Sequence, residues 1–280
     1  MSGDTITWLN GHQADFLPLP DRATDFGDGL FETLLLKRGQ PLYLERHLAR
    51  LSRGSAALFF PTDAVQMVTE TIALAKQDIA AIGWPWSVLR VTLSRGAGPR
   101  GYAPPVICEP RTLATATRLE HNPLEIAEPA RIGLASICWP IQPALAGLKH
   151  LNRLEQVLAA REYRLQGLDE ALMLDHDGNV ISVTSGNLFA VVEGEIVTPK
   201  LEQTGIQGTR RQCVIEDWAP ALGKTVSEVQ LSLAQLKAAK EVFLTNTLLG
   251  LRPISAMKNI GWERDNVCTS LFQHYRDSCL

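Results

Sequence analysis

Lys149 lies in the run AGLKHLNRLEQVL at 146–158, after a flexible Ala146-Gly147 step and between Leu148 and Leu151. A lysine among apolar neighbours loses some solvation of its charged form, so its pKa tends to fall. Such an amine can form a Schiff base with a carbonyl and then shuttle protons. Local composition alone favours a plainer reading, an ordinary exposed lysine ahead of a helix. The adjoining His150 is tempting as a second base, yet adjacent residues often face different ways, and shaping a pocket suits it better. Phosphate contacts have three possible sources. Arg50 lies one turn beyond Arg46 and His47 in a helical stretch. Gly208-Thr209-Arg210-Arg211 opens another helix, where unsatisfied backbone N–H groups and the helix dipole attract anions. Thr245-Asn246-Thr247 follows a strand and brings polar groups to a sheet end. Each is weak alone, because glycine before a helix is commonplace and threonine clusters usually cap or turn.

Other patterns exclude chemistries. Gly96-Ala97-Gly98-Pro99-Arg100-Gly101 satisfies a bare GxGxxG. A dinucleotide site needs a helix opening at those glycines, and Pro104-Pro105 with no helical periodicity predicts a loop instead. The five cysteines, at 108, 138, 213, 268 and 279, include no CxxC pair. That spacing predicts neither a disulfide framework nor a metal site, and a reducing, cytoplasmic setting suits it. The formal charge of −3 comes without a concentrated basic patch, so no nucleic-acid partner is expected. The six tryptophans suit packing or an interface better than a nucleotide platform. No basic-then-apolar leader and no membrane-length apolar run is present, which predicts a soluble chain.

These residues need elements to hold them. With 45% hydrophobic residues among 280, the chain can build a real core. Short strands are expected at 6–9 and 34–36 around the glycine-rich FGDG at 26–29. Helices are expected over 43–60 and 63–82 and a strand at 87–94, then a Gly/Pro loop through 110. The polar, proline-bearing 119–130 reads as a linker. Beyond it, 131–137 reads as a strand, and Asn152 with Glu155 as a capping box for a helix to about 166. Strands follow at 170–174, 188–192, 195–198 and 241–245. Helix starts are read at Thr209 and Ser232, and a terminal helix near 263–275. The organisation is two α/β or α+β domains: a smaller one at 1–118, the linker, and a larger cofactor-binding domain at 131–280.

Taken together, many blocks in order resemble one family. They are NGH at 10–12, DRATDFGDGLFET at 21–33, RHLARL at 46–51, RGAGPRGY at 95–102 and GLKHLNRLEQVLA at 147–159. The series continues with DEALMLDHDGNV at 169–180, SGNLF at 185–189, GIQGTRR at 205–211 and VFLTNTLLGLRPI at 242–254. The chain is similar over nearly its whole length to the class IV pyridoxal-phosphate enzymes, the fold of the D-amino-acid aminotransferases. Within that class it resembles the aminodeoxychorismate lyases.

The resemblance implies a fold and a site. Lys149 would carry pyridoxal 5'-phosphate covalently and act as base and acid. Arg50 would grip the cofactor phosphate with charge-assisted bonds. Thr209 and Arg210 would offer backbone N–H groups, although Thr209 also suits a helix cap. Asn246 and Thr247 would close the phosphate cup. Ser182 departs from the pattern: it stands four places after Gly178, where the class has a glutamate facing the pyridine nitrogen. A serine hydroxyl can hydrogen-bond there but cannot hold a proton on the ring, which suits elimination better than transamination. The implied reaction converts 4-amino-4-deoxychorismate to 4-aminobenzoate and pyruvate, with Arg95 or Arg100 meeting a substrate carboxylate. Either arginine could instead pair with an acidic residue at a surface. The implied assembly is a homodimer, and no metal is implied. Two other readings share these motifs, a class IV transaminase for D-amino or branched-chain amino acids and a non-catalytic dimeric homologue.

Overall fold

The computed structural model describes residues 5–263 and 266–279. Its contacts divide the chain into two units. The first runs to Asn122 and also takes in Leu148–Asn152; the second holds Pro123–Gly147 and everything from Arg153 on.

In the first unit the elements run β1 (Thr5–Leu9), β2 (His12–Gln13), α1 (Arg22–Phe26), β3 (Gly29–Lys37) and β4 (Gln40–Pro41). They continue with α2 (Leu44–Ala57), α3 (Ala64–Ile82), β5 (Trp86–Ser94) and β6 (Arg111–Arg118). The strands form one antiparallel sheet in the order β2-β1-β6-β5-β3-β4. Alternation sorts its side chains. Leu30, Leu34, Leu36, Leu89, Val91, Leu93, Ala114 and Ala116 bury one face with Val68, Ile72, Ala75 and Ile79 of α3. Each Leu, Ile or Val among them contributes roughly 1.5–3 kcal/mol when fully buried. The helical periodicity of 63–82 made α3 readable. Strand β6 was not expected, because its buried residues are Thr112, Ala114 and Ala116, too small to mark an apolar strand.

The second unit begins with β7 (Ala130–Leu134) and a short 3-10 turn at Pro143–Leu145, then α4 (Leu154–Leu165), β8 (Glu170–Leu174) and β9 (Asn179–Val183). Next come β10 (Asn187–Val192), β11 (Glu195–Pro199), α5 (Thr209–Cys213), a π-helical turn at Val214–Trp218 and α6 (Ala219–Ala221). The last elements are β12 (Val226–Val229), β13 (Leu231–Ser232), α7 (Leu233–Ala238), β14 (Glu241–Asn246), β15 (Gly250–Met257), β16 (Ile260–Gly261) and α8 (Asn266–Ser278). Their sheet runs β12-β11-β10-β14-β15-β7-β8-β9-β13, with β16 on β15. It is mixed, since β7 lies parallel to both β15 and β8. One core gathers Leu172, Leu188, Val242, Leu244 and Ile254; another gathers Trp139, Met173, Ile181 and Leu201.

Several local expectations meet their structure here. Ser232 and Gln235 make a full capping box at α7. The box expected at Asn152 does not form: Arg153 is the N-cap of α4 and its side chain makes no cap bond to the helix start, and the Asn152 amide donates to Gly27 O at 3.3 Å. The glycine-rich 95–110 segment contains no helix, which removes the dinucleotide pattern. Strands β9, β12 and β15 were not read from the sequence. The terminal helix occupies 266–278; Arg264 and Asp265 fall outside the described residues.

Candidate active site

Lys149 is held by a strand rather than by the helix after it. Residues 149–151 lie along β3: Phe31 N donates to Lys149 O at 3.0 Å, and Leu151 N donates to Gly29 O at 3.1 Å. Leu30 and His150 form an antiparallel bridge. Opposed residues share a face and neighbours alternate. Lys149 therefore sides with Phe31, and His150 sides with Leu30 on the opposite face. The Lys149 ammonium lies 4.1 Å from the centroid of the Phe31 ring, and Phe31 is buried. A half-buried amine over an aromatic face is oriented by its attraction to the ring.

Arg50 is anchored from the other face of β3. Its Nε donates to Glu32 Oε1 at 2.8 Å and its Nη2 to Oε2 at 2.5 Å, while His47 Nδ1 meets Oε2 at 2.6 Å. All three are nearly sealed from solvent. Burial pushes the Glu32 carboxyl up, but Arg50 and His47 outweigh it and hold the pKa at about 2. Glu32 therefore stays ionised and fixes the Arg50 fork. The sequence pointed to Arg50 and His47 by helical spacing but did not reveal Glu32 between them.

The two loop arginines differ. Arg95 is buried, donates from Nε to Asp28 Oδ2 at 2.8 Å, and reaches the Leu58 and Phe59 carbonyls with its other nitrogens. Its guanidinium lies 4.2 Å from the Phe60 ring centroid. Arg22 shares Asp28 at 2.8 Å and pins the loop through the carbonyls of Gly101, Tyr102 and Ala103. Burial raises Asp28, yet its bonds to Arg95 and Arg22 bring its pKa below the usual value. Arg95 thus carries a structural load, whereas Arg100 is exposed and makes no hydrogen bond or ion pair among the described residues.

In the second unit, Ser182 on β9 is buried and its hydroxyl accepts the Trp139 indole N–H at 2.9 Å. The Arg153 guanidinium lies 5.4 Å from the Trp139 ring centroid. Burial lowers Arg153 to about 10 against the pull of Glu155. With one lone pair of Ser182 occupied, its own proton remains for donation. Trp139 had no sign in the sequence beyond its residue type.

A polar cradle forms where β10, β14 and the start of α5 meet. Asn187 Nδ2 donates to Ile206 O at 2.8 Å and its Oδ1 accepts from Gly208 N at 3.0 Å. A Cβ on Gly208 would lie 2.1 Å from that same oxygen, so only glycine fits. Gly208 is the N-cap of α5 and offers no side chain; Thr209 is the first helical residue and is buried beside Arg210. Asn187 and Thr245 are opposed across β10 and β14, so they share a face. The buried Thr245 hydroxyl has no hydrogen-bond partner. Asn246 turns its side chain to the backbone, accepting Leu248 N at 3.0 Å and Leu249 N at 2.9 Å, which shapes the turn that contains Thr247.

Taken separately, the first unit carries an amine and a fixed guanidinium, and the second carries a glycine cradle, an unsatisfied buried hydroxyl, a helix start and a donor hydroxyl; groups of these kinds suit an aldehyde cofactor bearing a phosphate. The model for class IV amino-transferases matches residues 29–257. An aminodeoxychorismate lyase of Vibrio harveyi is 32% identical over 251 residues, covering 89% of this chain and 90% of its own. The crystal structure of a 4-amino-4-deoxychorismate lyase from Pseudomonas aeruginosa superimposes with a TM-score of 0.88 at 37% identity, covering 97% of this chain and 98% of that one. The Escherichia coli branched-chain amino acid aminotransferase gives a TM-score of 0.83 at 21% identity, covering 97% and 93%, which speaks to the fold alone.

Proposed function

The chain belongs to the class IV aminotransferase family, whose members depend on pyridoxal phosphate, and we propose that within it the protein is an aminodeoxychorismate lyase. The observation that carries this reading is the pair of lyase relatives, which are similar to the chain over nearly its full length. Ser182 in place of a carboxylate also supports it.

In this reading Lys149 would hold the cofactor, Arg50 and the Gly208–Arg210 helix start would hold its phosphate with Thr247, and Ser182 would offer its hydroxyl proton to the ring side. The cofactor, when bound, supplies an electron sink for a carbon that loses a proton. The protein's own work falls to Lys149. Its amine removes the proton from C4 of 4-amino-4-deoxychorismate. The C3–O bond breaks, the leaving enolpyruvate takes the electron pair, and the ring becomes aromatic. Lys149 then returns a proton to the enolpyruvate methylene carbon, giving pyruvate beside 4-aminobenzoate. Phe31 beneath the amine limits its wander between these positions.

A cytoplasmic homodimer is part of the same proposal. The five cysteines are free thiols, which suits a reducing compartment, and no described helix is long and apolar enough to cross a membrane. Exposed aliphatic residues on α4 support self-association. The deciding experiment supplies the protein with pyridoxal phosphate and freshly made 4-amino-4-deoxychorismate, without a keto acid. Stoichiometric 4-aminobenzoate and pyruvate above the spontaneous rate are expected. Cofactor binding with only keto-acid-dependent amino transfer would make the protein a transaminase; no cofactor binding would make it a non-catalytic homologue.

A further inference from the structure

An indole N–H is a donor and nothing else, so the bond from Trp139 Nε1 to Ser182 Oγ at 2.9 Å has one possible direction. Both residues lie buried in the second unit, Trp139 at 6% exposure and Ser182 at 4%. Backbone and packing hold the indole in place. Trp139 N donates to Leu174 O at 2.8 Å, the residue forms a bridge with Asp175, and its ring packs in a core with Ala159, Met173, Ile181 and Leu201.

Ser182 is left with a proton to give. Among the described residues its side chain makes only the bond to Trp139, so that proton reaches no protein acceptor. A buried donor without an acceptor is costly, and native proteins rarely leave one. The unspent proton therefore points to an acceptor atom on a ligand. Charge agrees with an acceptor that bears no proton of its own. The Arg153 guanidinium lies 5.4 Å from the Trp139 ring centroid, and no carboxylate bonds to Trp139 or Ser182 among the described residues. Glu155 attracts Arg153 but does not outweigh its burial. A cation on one side of the pair, with no anion bonded to it, disfavours a second positive charge beside Ser182.

We infer that Trp139 is a positioning residue: it commits the Ser182 hydroxyl to donate, and the ring nitrogen of pyridoxal phosphate accepts that bond while carrying no proton. The inference deepens the proposed lyase reading and takes from it that Ser182 meets the ring nitrogen. A protonated ring would present its own N–H to the hydroxyl. Ser182 would then accept from two donors and keep its own proton unpaired, whereas an unprotonated ring pairs every group. The unprotonated ring is also the weaker electron sink. That suits a reaction helped by aromatisation of its product better than repeated amino transfer.

The test loads the full chain with pyridoxal phosphate isotopically labelled at its ring nitrogen and reads that nitrogen by NMR. Wild type is expected in the range of a hydrogen-bonded, unprotonated pyridine, and Ser182→Glu in the range of a pyridinium. Ser182→Ala should move the signal towards that of a free pyridine and weaken cofactor binding about 3- to 10-fold. Trp139→Phe should do the same to a smaller extent. The double variant should bind no worse than Ser182→Ala alone, because Trp139 acts only through Ser182. A merely structural Trp139 would add its own loss, and that result would overturn its role. A pyridinium signal in wild type would overturn the inference outright, as would a nitrogen signal unmoved by Ser182→Ala. Should Trp139→Phe fail to fold, the Trp139 indole N–H resonance gives a second reading: it should shift on Ser182→Ala, and an unmoved resonance would overturn the pairing. Failure of the lyase reading is seen separately. A protein that makes no 4-aminobenzoate from aminodeoxychorismate, yet holds an unprotonated ring nitrogen that depends on Trp139, keeps this inference and loses that substrate.

Discussion

At the scale of single residues, opposite faces of β3 carry opposite kinds of control. Lys149 rests over the Phe31 ring, while Arg50 is locked by a buried carboxylate one residue further on, Glu32. Replacing Lys149 by Ala removes the group proposed to carry the cofactor and move both protons. The variant should lose the visible absorbance of the linked cofactor and nearly all turnover; retention of both would sink the assignment. Glu32 gives a stability prediction with a definite sign. Its folded pKa is about 2 against an ordinary 4.5. Its contribution is therefore complete above pH 4.5 and is lost as the pH falls towards 2. Glu32→Gln leaves Arg50 and His47 buried without their counter-charge, which should destabilise the fold by roughly 3–5 kcal/mol at neutral pH. Denaturant titrations from pH 7 to 2 should show the gap between variant and wild type closing below pH 4.5; a constant gap would remove the linkage. Ser182 gives a chemical prediction. Because its hydroxyl already accepts from Trp139, its own proton is left for donation. Ser182→Glu should raise keto-acid-dependent amino transfer relative to pyruvate release. If wild type already transaminates as fast as it eliminates, that account of Ser182 is wrong.

At the scale of elements, legibility tracked side-chain size and sequence distance. Helix α3 and the Ser232 cap could be read because their signals repeat within a turn or two. Strand β6 could not, since alternating Ala and Thr give little contrast between faces. The docking of 149–151 onto β3 was hidden for a different reason: pairing across more than a hundred residues leaves no local mark, so local composition shows only a lysine ahead of a helix. Lys149, Arg50 and Thr209 were reached through the order of motifs. The parts played by Phe31, Glu32 and Trp139 were not, because which residues face one another depends on register. The turn after β14 shows how a distant helix bears on a proposed binding element. Gly250 has φ +64°, and a Cβ there would come within 2.4 Å of the Tyr275 ring on α8. Tyr275 is fully buried with its ring 5.2 Å from that of Trp218. Gly250→Ala should therefore lower stability by about 2–4 kcal/mol, from overpacking and left-handed strain. Thermal unfolding measures it. Adding Tyr275→Leu should restore part of the loss by relieving the clash; no recovery would assign the whole effect to the backbone.

At the scale of the whole molecule, α4 leaves an apolar face uncovered. Leu154, Val157, Leu158 and Leu165 fall within one side of the helix by 3.6-residue spacing, and their exposures are 73%, 59%, 49% and 73%. Leaving such side chains in water forgoes roughly 1.5–3 kcal/mol for each that could be fully buried. A second copy covering this face would recover much of that, which is the physical case for the proposed homodimer. Sedimentation at micromolar concentration should find a dimer for the wild type. Leu154→Glu with Leu158→Glu places charge where apolar contact is expected, and should weaken association at least 100-fold. Because both side chains already face solvent, the helical circular dichroism should not change, which separates lost assembly from lost folding. A wild type that sediments as a monomer would leave the stripe unexplained and sink the dimer. A dimer indifferent to both charges would move its interface off α4.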